Sequence, residues 1–328
     1  MFDLNVISPI LLWTAIAIYA AAFVAYAFDL ARRSQLSADS QTVREAELVG
    51  AGVGARGRAS AGTVSGSTTD AQPQRFVMAR IGTSLTVLAF FFHFGATLTR
   101  GIAAGRVPWA NLYEFAMIGT LLVIAVYLIV LTRMDLRFLG TFITGLIVVL
   151  LGLSSTNFYV DVSPLMDPLK SVWLVIHVFV ASLGTAFFAL AFALSVIQLM
   201  QSRRERLVSE GAEKTGPGFL RTFPTAERLE SMAYRFTIIG FILWTFTLIA
   251  GSIWAYYAWS RFWGFDVKET WTFVIWVLYA GYIHARATRG WRGNPSAWLA
   301  IVGFSAVMFN FTIVNVFFKG LHAYSGIS

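Results

Sequence analysis

Residues 251–286 read GSIWAYYAWSRFWGFDVKETWTFVIWVLYAGYIHAR. Trp254, Trp259, Trp263, Trp271 and Trp276, five of the chain's eleven tryptophans, fall inside this stretch. From Tyr256 to Asp266 it is too aromatic for an ordinary loop and too charged for a lipid-embedded span. From Trp271 onward it is an apolar helix with one histidine near its end. Aromatic rings offer large rigid faces to a planar apolar ligand, and Arg261, Asp266, Lys268 and Glu269 can hold polar groups at its rim. Haem, a hydrophobic macrocycle with two carboxylates, fits that description.

The rest of the chain sets this segment in a membrane. Hydrophobic residues make up 57% and charged residues 13%, well outside the balance of soluble domains. Apolar stretches of roughly twenty residues, the length that crosses a bilayer, are read at 6–29, 80–99, 112–132, 138–156, 171–201, 235–256, 271–288 and 298–318. The expected fold is an all-α, polytopic integral membrane protein with about eight transmembrane helices. The first stretch is too long for a removable signal peptide and lacks a small-residue cleavage site, so it is read as a retained helix.

Basic residues orient the spans. Alternate connections hold Arg32, Arg33, Arg44, Arg56, Arg58 and Arg75, then Arg133 and Arg137, then Arg203, Arg204, Arg206, Lys214, Arg221 and Arg228, then Arg286, Arg289 and Arg292. By the positive-inside rule these connections are cytoplasmic, which places both termini and the Trp-rich segment outside. The net charge of +8 then reflects topology and contact with anionic lipid. No interleaved basic and aromatic module points to nucleic acid.

Three parts follow: residues 1–33 as the first transmembrane helix, 34–79 as a flexible cytoplasmic linker rich in Ser, Gly, Ala and Thr, and 80–328 as the membrane domain, with the Trp-rich extracytoplasmic segment at 251–271. Residues 202–234 mix charges with Gly216-Pro217-Gly218 and a helix start at Thr225-Ala226-Glu227-Arg228, which suggests a short amphipathic element on the inner surface. No phosphate loop or nucleotide motif is present, so energy coupling by this chain itself is not expected.

The run Trp254, Ala258-Trp259, Phe262-Trp263, then Phe265-Asp266-Val267-Lys268-Glu269-Thr270-Trp271, ending in Tyr282-Ile283-His284-Ala285-Arg286, resembles the "WWD" haem-handling domain of CcsA/ResC-type cytochrome c synthesis proteins. That family usually reads WGxxWxWDPKETW here. Ser260 stands in place of the glycine, Phe265 of a tryptophan and Val267 of the proline, so one stacking ring is smaller and the turn before Lys268 is less constrained. Further matches lie at Arg106 to Glu114, at Trp173 to His177 and at Gly320 to Tyr324, and the resemblance runs from about residue 100 to the C-terminus.

The four histidines separate by depth. His177 lies about six residues into the fifth span, near its outer end, and His322 follows the eighth span just outside. Both share the outer surface with the Trp-rich segment. The resemblance makes them the external axial pair of one haem iron, on a platform of Trp254, Trp259, Trp263, Phe265, Asp266 and Trp271. His284 lies about thirteen residues into the seventh span, roughly 20 Å from its outer end. An ionisable side chain at that depth is a functional site by default, and neutral imidazole ligates haem iron. The resemblance makes it a ligand to a second, intramembrane haem, with the other ligand from a ResB/Ccs1-type partner. His93, in the second span, differs from His284 in depth by about 10 Å. A structural role is expected for it, with an in-chain haem ligand as the alternative.

Other groups are open to two readings. Glu114, beside Asn111 and Tyr113, hydrogen-bonds the haem site or caps a helix. Arg100 and Arg106 pair with haem propionates or with lipid phosphate. Asp266 and Glu269 orient Arg261, Lys268 or the loop rather than forming an acid/base pair, and no Ser-His-Asp constellation is recognisable. The chain has no cysteine, which suits a site that meets reduced thiols in an oxidising compartment.

The resemblance therefore implies cytochrome c biogenesis in the cytoplasmic membrane of a bacterium. Haem b is carried across and presented outside for thioether attachment to the CxxCH of an apocytochrome c. A ResB/Ccs1-type membrane protein and thiol-reducing pathway proteins are the implied partners, and the chain would be a subunit of a haem synthase (lyase). A haem transporter or chaperone without ligation activity is the alternative. A di-haem electron carrier is a third class, but the paired histidines at helical spacing that it needs are missing.

Overall fold

The structure is a computed structural model. It describes residues 3–53, 77–165, 167–212, 214–288, 290–318 and 320–321, with the backbone alone for 36–53, 167 and 168. The helices are α1 (Leu4–Val53), α2 (Val77–Ala104), α3 (Leu112–Leu131), α4 (Gly140–Asn157), α5 (Val172–Ser209), α6 (Ala226–Trp259), α7 (Val267–Ala287), α8 (Asn294–Phe311) and α9 (Ile313–Phe317). No strand occurs among the described residues. Lipid leaves backbone N–H and C=O groups no partner but the chain itself, so apolar runs of this length become helices.

Seven of these segments are long and apolar enough to cross a membrane. The remaining one of the eight expected spans, the seventh in chain order, is α7, a helix of 21 residues, about 30 Å long, less apolar because its first turns carry Lys268, Glu269, Thr270 and Thr272. The all-α multi-pass fold is as expected, but the element edges move. The amphipathic element expected near residue 225 is not separate: Thr225 caps a helix that runs unbroken for 34 residues to Trp259, because no proline interrupts it. The last span breaks instead at Thr312, between α8 and α9. Residues 54–76 of the expected linker lie outside the described residues, and α1 reaches Val53 before them.

Helix α5 is central, packed on α6, α3 and α8, while α1 lies on α2 and α4, and α7 on α8 and α6. Where α5 crosses α6, a Cβ on Gly240 would meet the Phe188 ring at 2.7 Å and the Gly184 carbonyl at 3.2 Å. Small residues allow this approach, and close van der Waals packing is what holds helices together in lipid. The Phe188 and Tyr279 rings stack at 3.7 Å and join α5 to α7.

The α2–α3, α4–α5 and α6–α7 connections gather at one end of the bundle with the segment after α9. Arg100 there donates to the Val160 carbonyl at 2.6 Å, and the Leu321 amide to Asp266 Oδ1 at 3.2 Å. At the opposite end Arg286 Nε donates to Glu230 Oε1 at 3.1 Å, and Gln198 Nε2 to the Gly293 carbonyl at 2.9 Å.

Candidate functional site

The Trp-rich segment is shaped by its helix ends. Helix α6 stops at Ser260, whose φ of 54° and ψ of 30° are left-handed, with its amide donating to the Tyr256 carbonyl at 2.8 Å. This conformation favours glycine, which is the residue the resembling family carries there. Phe265 also has a positive φ, 57°. Glu269 then closes the loop: it accepts from Arg261 Nη1 at 3.2 Å, from the Gly264 amide at 2.9 Å and from the Asp266 amide at 3.1 Å. Asp266 is the N-cap of α7 and forms a capping box with Glu269. The acidic pair thus orients Arg261 and the loop backbone.

His177 sits beneath this loop on the first turns of α5. Its Nδ1 donates to the Thr247 carbonyl of α6 at 3.0 Å. A carbonyl only accepts, so in the neutral ring Nδ1 carries the proton and Nε2 the lone pair. The ring stacks on Trp254 at 5.9 Å and 17°, and Trp259 meets Trp254 edge-on at 4.8 Å. A Cβ on Gly251 would stand 2.7 Å from His177 Cε1 and 2.9 Å from Nδ1. Only glycine at 251 lets the imidazole lie against α6.

Two cavities meet at His177. One, of about 250 Å³, runs down between the helices from Trp109, Phe115, Trp254 and Lys268 past Thr185 and Phe304. The other, about 60 Å³, lies under the loop against Gly251, Phe262, Trp263 and Glu269. His177, Thr247, Trp254, Lys268 and Thr272 border both. Lys268 Nζ donates to Asn315 Oδ1 at 2.6 Å. The arrangement is an apolar chamber with an oriented imidazole and a lysine in its wall. It suits a flat apolar ligand that carries a metal and an anionic group.

The expected site residues divide accordingly. Trp254 is buried and backs His177 instead of facing outward, while Trp263 lines the smaller cavity and meets Phe265 edge-on at 6.1 Å. Phe265 is 81% exposed. Trp271 is not brought to this group: it is half-buried and packs on Phe309 of α8 at 4.5 Å, against the main core. His284 is exposed in the last turn of α7. Because α7 begins at Val267, His284 lies about 25 Å from its start, deeper than the sequence placed it. His322 lies outside the described residues.

Arg100, Arg106 and Glu114 close on one another. Glu114 is fully buried and accepts from Arg100 Nε at 2.9 Å, Arg106 Nη1 at 2.7 Å and the Ala110 amide at 2.9 Å. Asn111, not Glu114, caps α3, its side chain accepting from the Glu114 amide. With Arg100 also holding Val160, the cluster braces two connections beside the cavity. His93 is buried, its Nε2 donating to the Met117 carbonyl at 2.9 Å and its ring set edge-on to Tyr19. The sequence reading missed Gly251, Thr247, Asn315 and also Asn310, which lines the larger cavity and donates from Nδ2 to Thr272 Oγ1 at 3.4 Å. Two amides in the last apolar span were the available signal for the latter pair.

Residues 109–322 match the family model described as "Cytochrome C assembly protein". This chain belongs to that family. Among curated relatives of this cytochrome c assembly protein, the "Cytochrome c biogenesis protein CcsA" of Guillardia theta is 32% identical over 264 residues, 73% of this chain and 87% of that protein. The protein of the same name from Prochlorococcus marinus is 32% identical over 247 residues, 69% of this chain and 78% of that one. Among solved structures, the "Cytochrome c Heme Lyase CcmF" superposes with a TM-score of 0.62 at 15% identity over 95% of this chain, which spans 47% of the lyase. That likeness is one of fold.

Proposed function

We propose that this cytochrome c assembly protein binds haem b as its substrate at His177 and presents it for attachment to apocytochrome c. The observation that carries this reading is His177 itself, fixed by the Thr247 carbonyl and the Trp254 ring at the junction of two cavities. A histidine whose Nδ1–H is held by a carbonyl presents Nε2 in a set direction, the usual second-shell arrangement for a metal ligand. His322, from the segment after α9, supplies the opposite axial ligand. The apolar chamber walls take the macrocycle, Lys268 faces a propionate, and Trp263 and Phe265 lie along the outer edge of the ring.

The chemistry asks little of the protein beyond position. Each cysteine thiol of the CxxCH segment adds across one haem vinyl group: its sulfur bonds one vinyl carbon, its hydrogen goes to the other, and the C=C bond becomes single. Two axial imidazoles hold the iron while the incoming CxxCH histidine displaces one of them. The absence of cysteine from the chain avoids competing mixed disulfides. Thiol-reducing proteins keep the CxxCH thiols available.

His284, exposed near the other end of α7, serves an incoming haem together with a histidine of a ResB/Ccs1-type partner. Exposure supports this, because a ligand shared between chains must lie on the surface of each. The topology accordingly has both termini and the Trp-rich segment outside the cytoplasmic membrane of a bacterium. The test is reconstitution of the chain with a ResB-type partner, reduced haem and an apocytochrome, scored for covalent haem. Covalent product only when both membrane proteins are present supports a synthase; haem delivery without covalent product would make the chain a transporter.

A further inference from the structure

We infer that Arg106 and Trp109 form the subsite for one haem carboxylate, and this rests on the proposed binding of haem at His177. The starting observation is an unbalanced charge. Arg100, Arg106 and Glu114 set two guanidinium groups against one carboxylate, with side chains only 1%, 10% and 0% exposed, and charges so buried are normally paired. Glu114 has nothing left for the second cation. Its Oε1 accepts from Arg100 Nε at 2.9 Å and Arg106 Nη2 at 3.4 Å, and its Oε2 from Arg106 Nη1 at 2.7 Å and the Ala110 amide at 2.9 Å, which fills the roughly four sites a carboxylate offers. Arg100 finds further relief in the Val160 carbonyl and in the Tyr113 and Tyr159 rings, whose centroids lie 5.5 and 5.8 Å from its guanidinium. Arg106 reaches beyond Glu114 only to the neutral carbonyls of Val107 and Ser163, and its Nε has no partner.

Trp109 Nε1 is a second N–H without an acceptor, on a buried residue three positions further on. A sealed, unbonded donor costs more than its bond would gain, so two of them side by side mark a place for an acceptor. Both residues line a cavity of about 290 Å³. Its other polar wall residues among those described are Lys170 and Ser171, the remainder are valine and leucine, and none is acidic. Such a wall suits an anionic oxygen group on an apolar body, which a haem propionate or a lipid phosphate could supply. Position favours haem. Trp109, Leu169 and Leu174 line both this cavity and the chamber at His177, and Leu174 lies three residues before His177 on α5, on the same face. Haem b carries its vinyl groups and its propionates on opposite edges. Attachment needs the vinyl edge open to the CxxCH thiols, so the propionate edge is the one to be enclosed. Lys268 takes one carboxylate, and Arg106 with Trp109 takes the other.

The test measures the affinity of the purified full chain in detergent for haem b and for its dimethyl ester, whose carboxylates are capped, by absorption titration. Wild type should prefer the free acid about a hundredfold, a factor of about ten for each carboxylate that loses a charge-assisted hydrogen bond. Trp109→Phe keeps an aromatic ring and removes the N–H, while Arg106→Gln removes the charge and keeps a donor for Glu114. Each should reduce the preference to about tenfold, leave the affinity for the ester unchanged and retain the wild-type absorption spectrum. In parallel, phosphatidylglycerol and phosphatidylcholine are compared in thermal unfolding, and phosphatidylglycerol should act alike on wild type and both variants.

Equal wild-type affinity for acid and ester, or variants that weaken both forms alike, would overturn the inference and leave haem at His177. Stabilisation by phosphatidylglycerol that both variants lose, with the preference for the free acid intact, would assign the subsite to a lipid phosphate and overturn it as well. If His177→Ala binds haem b with wild-type affinity and spectrum, the underlying reading fails, and the inference with it.

Discussion

Gly251→Ala sets two effects of opposite sign against each other. In the middle of a helix alanine is favoured over glycine by about 1 kcal/mol, so propensity alone predicts a more stable protein. The structure predicts the reverse. The new Cβ would stand 2.7 Å from His177 Cε1, where ordinary contact begins at 3.4 Å, so the ring must retreat by about 0.7 Å. Overpacking of this kind costs about 1–3 kcal/mol, and moving Nδ1 off the Thr247 carbonyl forfeits about 1 kcal/mol more. The expected net is a loss of about 1–3 kcal/mol. The functional effect should be larger, since metal-ligand distances tolerate only about 0.2 Å. Thermal unfolding in detergent and haem content per chain read the two effects. Gly152→Ala, where a Cβ meets nothing within 4 Å, is the control with the same propensity gain. If Gly251→Ala is as stable as that control and retains full haem, the close packing of His177 on α6 is not what fixes it.

Four further outcomes are expected. Ser260→Gly should raise stability by about 1 kcal/mol, because Ser260 occupies a left-handed cap conformation that costs an L-residue about that much; a lower melting temperature would contradict it. Glu114→Ala should cost about 3–5 kcal/mol, since it strands the buried Arg100 guanidinium without its carboxylate, and should appear as lost folded yield before any change in haem spectrum. His284→Ala should leave the melting temperature near wild type yet starve the outer site of haem. His93→Ala should do the opposite, losing about 2 kcal/mol with its hydrogen bond and packing. An exchange of the two phenotypes would reverse the roles of these histidines.

The all-α multi-pass fold was legible in the sequence: of the eight apolar runs read there, seven lie in helices long and apolar enough to cross a membrane, and the other is the less apolar helix α7. The ends of these helices were not. Helices α5 and α6 continue past the lipid, for 38 and 34 residues, because charged residues such as Arg203 and Glu227 are as good helix formers as leucine and no proline stops them. The Trp-rich segment was legible as a unit, but composition does not say which way a ring points. Trp254 turned inward against His177, and Trp271 faced α8. The partners that define the site were hidden by sequence distance: Thr247 lies 70 residues from His177, and Asn315 47 from Lys268. The Arg100–Glu114 pair, 14 residues apart, illustrates the same limit. Each residue alone allows several partners, and only the approach of two helix ends selects one.

The most direct measurement is the coordination spectrum of haem in the purified chain, wild type against His177→Ala. A wild-type chain with its outer site loaded should show a low-spin, bis-histidine iron. His177→Ala should lose haem or hold it high-spin and five-coordinate, and added imidazole should return the low-spin spectrum and part of the maturation activity by filling the vacated position. A His177→Ala chain that keeps the wild-type low-spin spectrum without imidazole would show that the iron is held elsewhere.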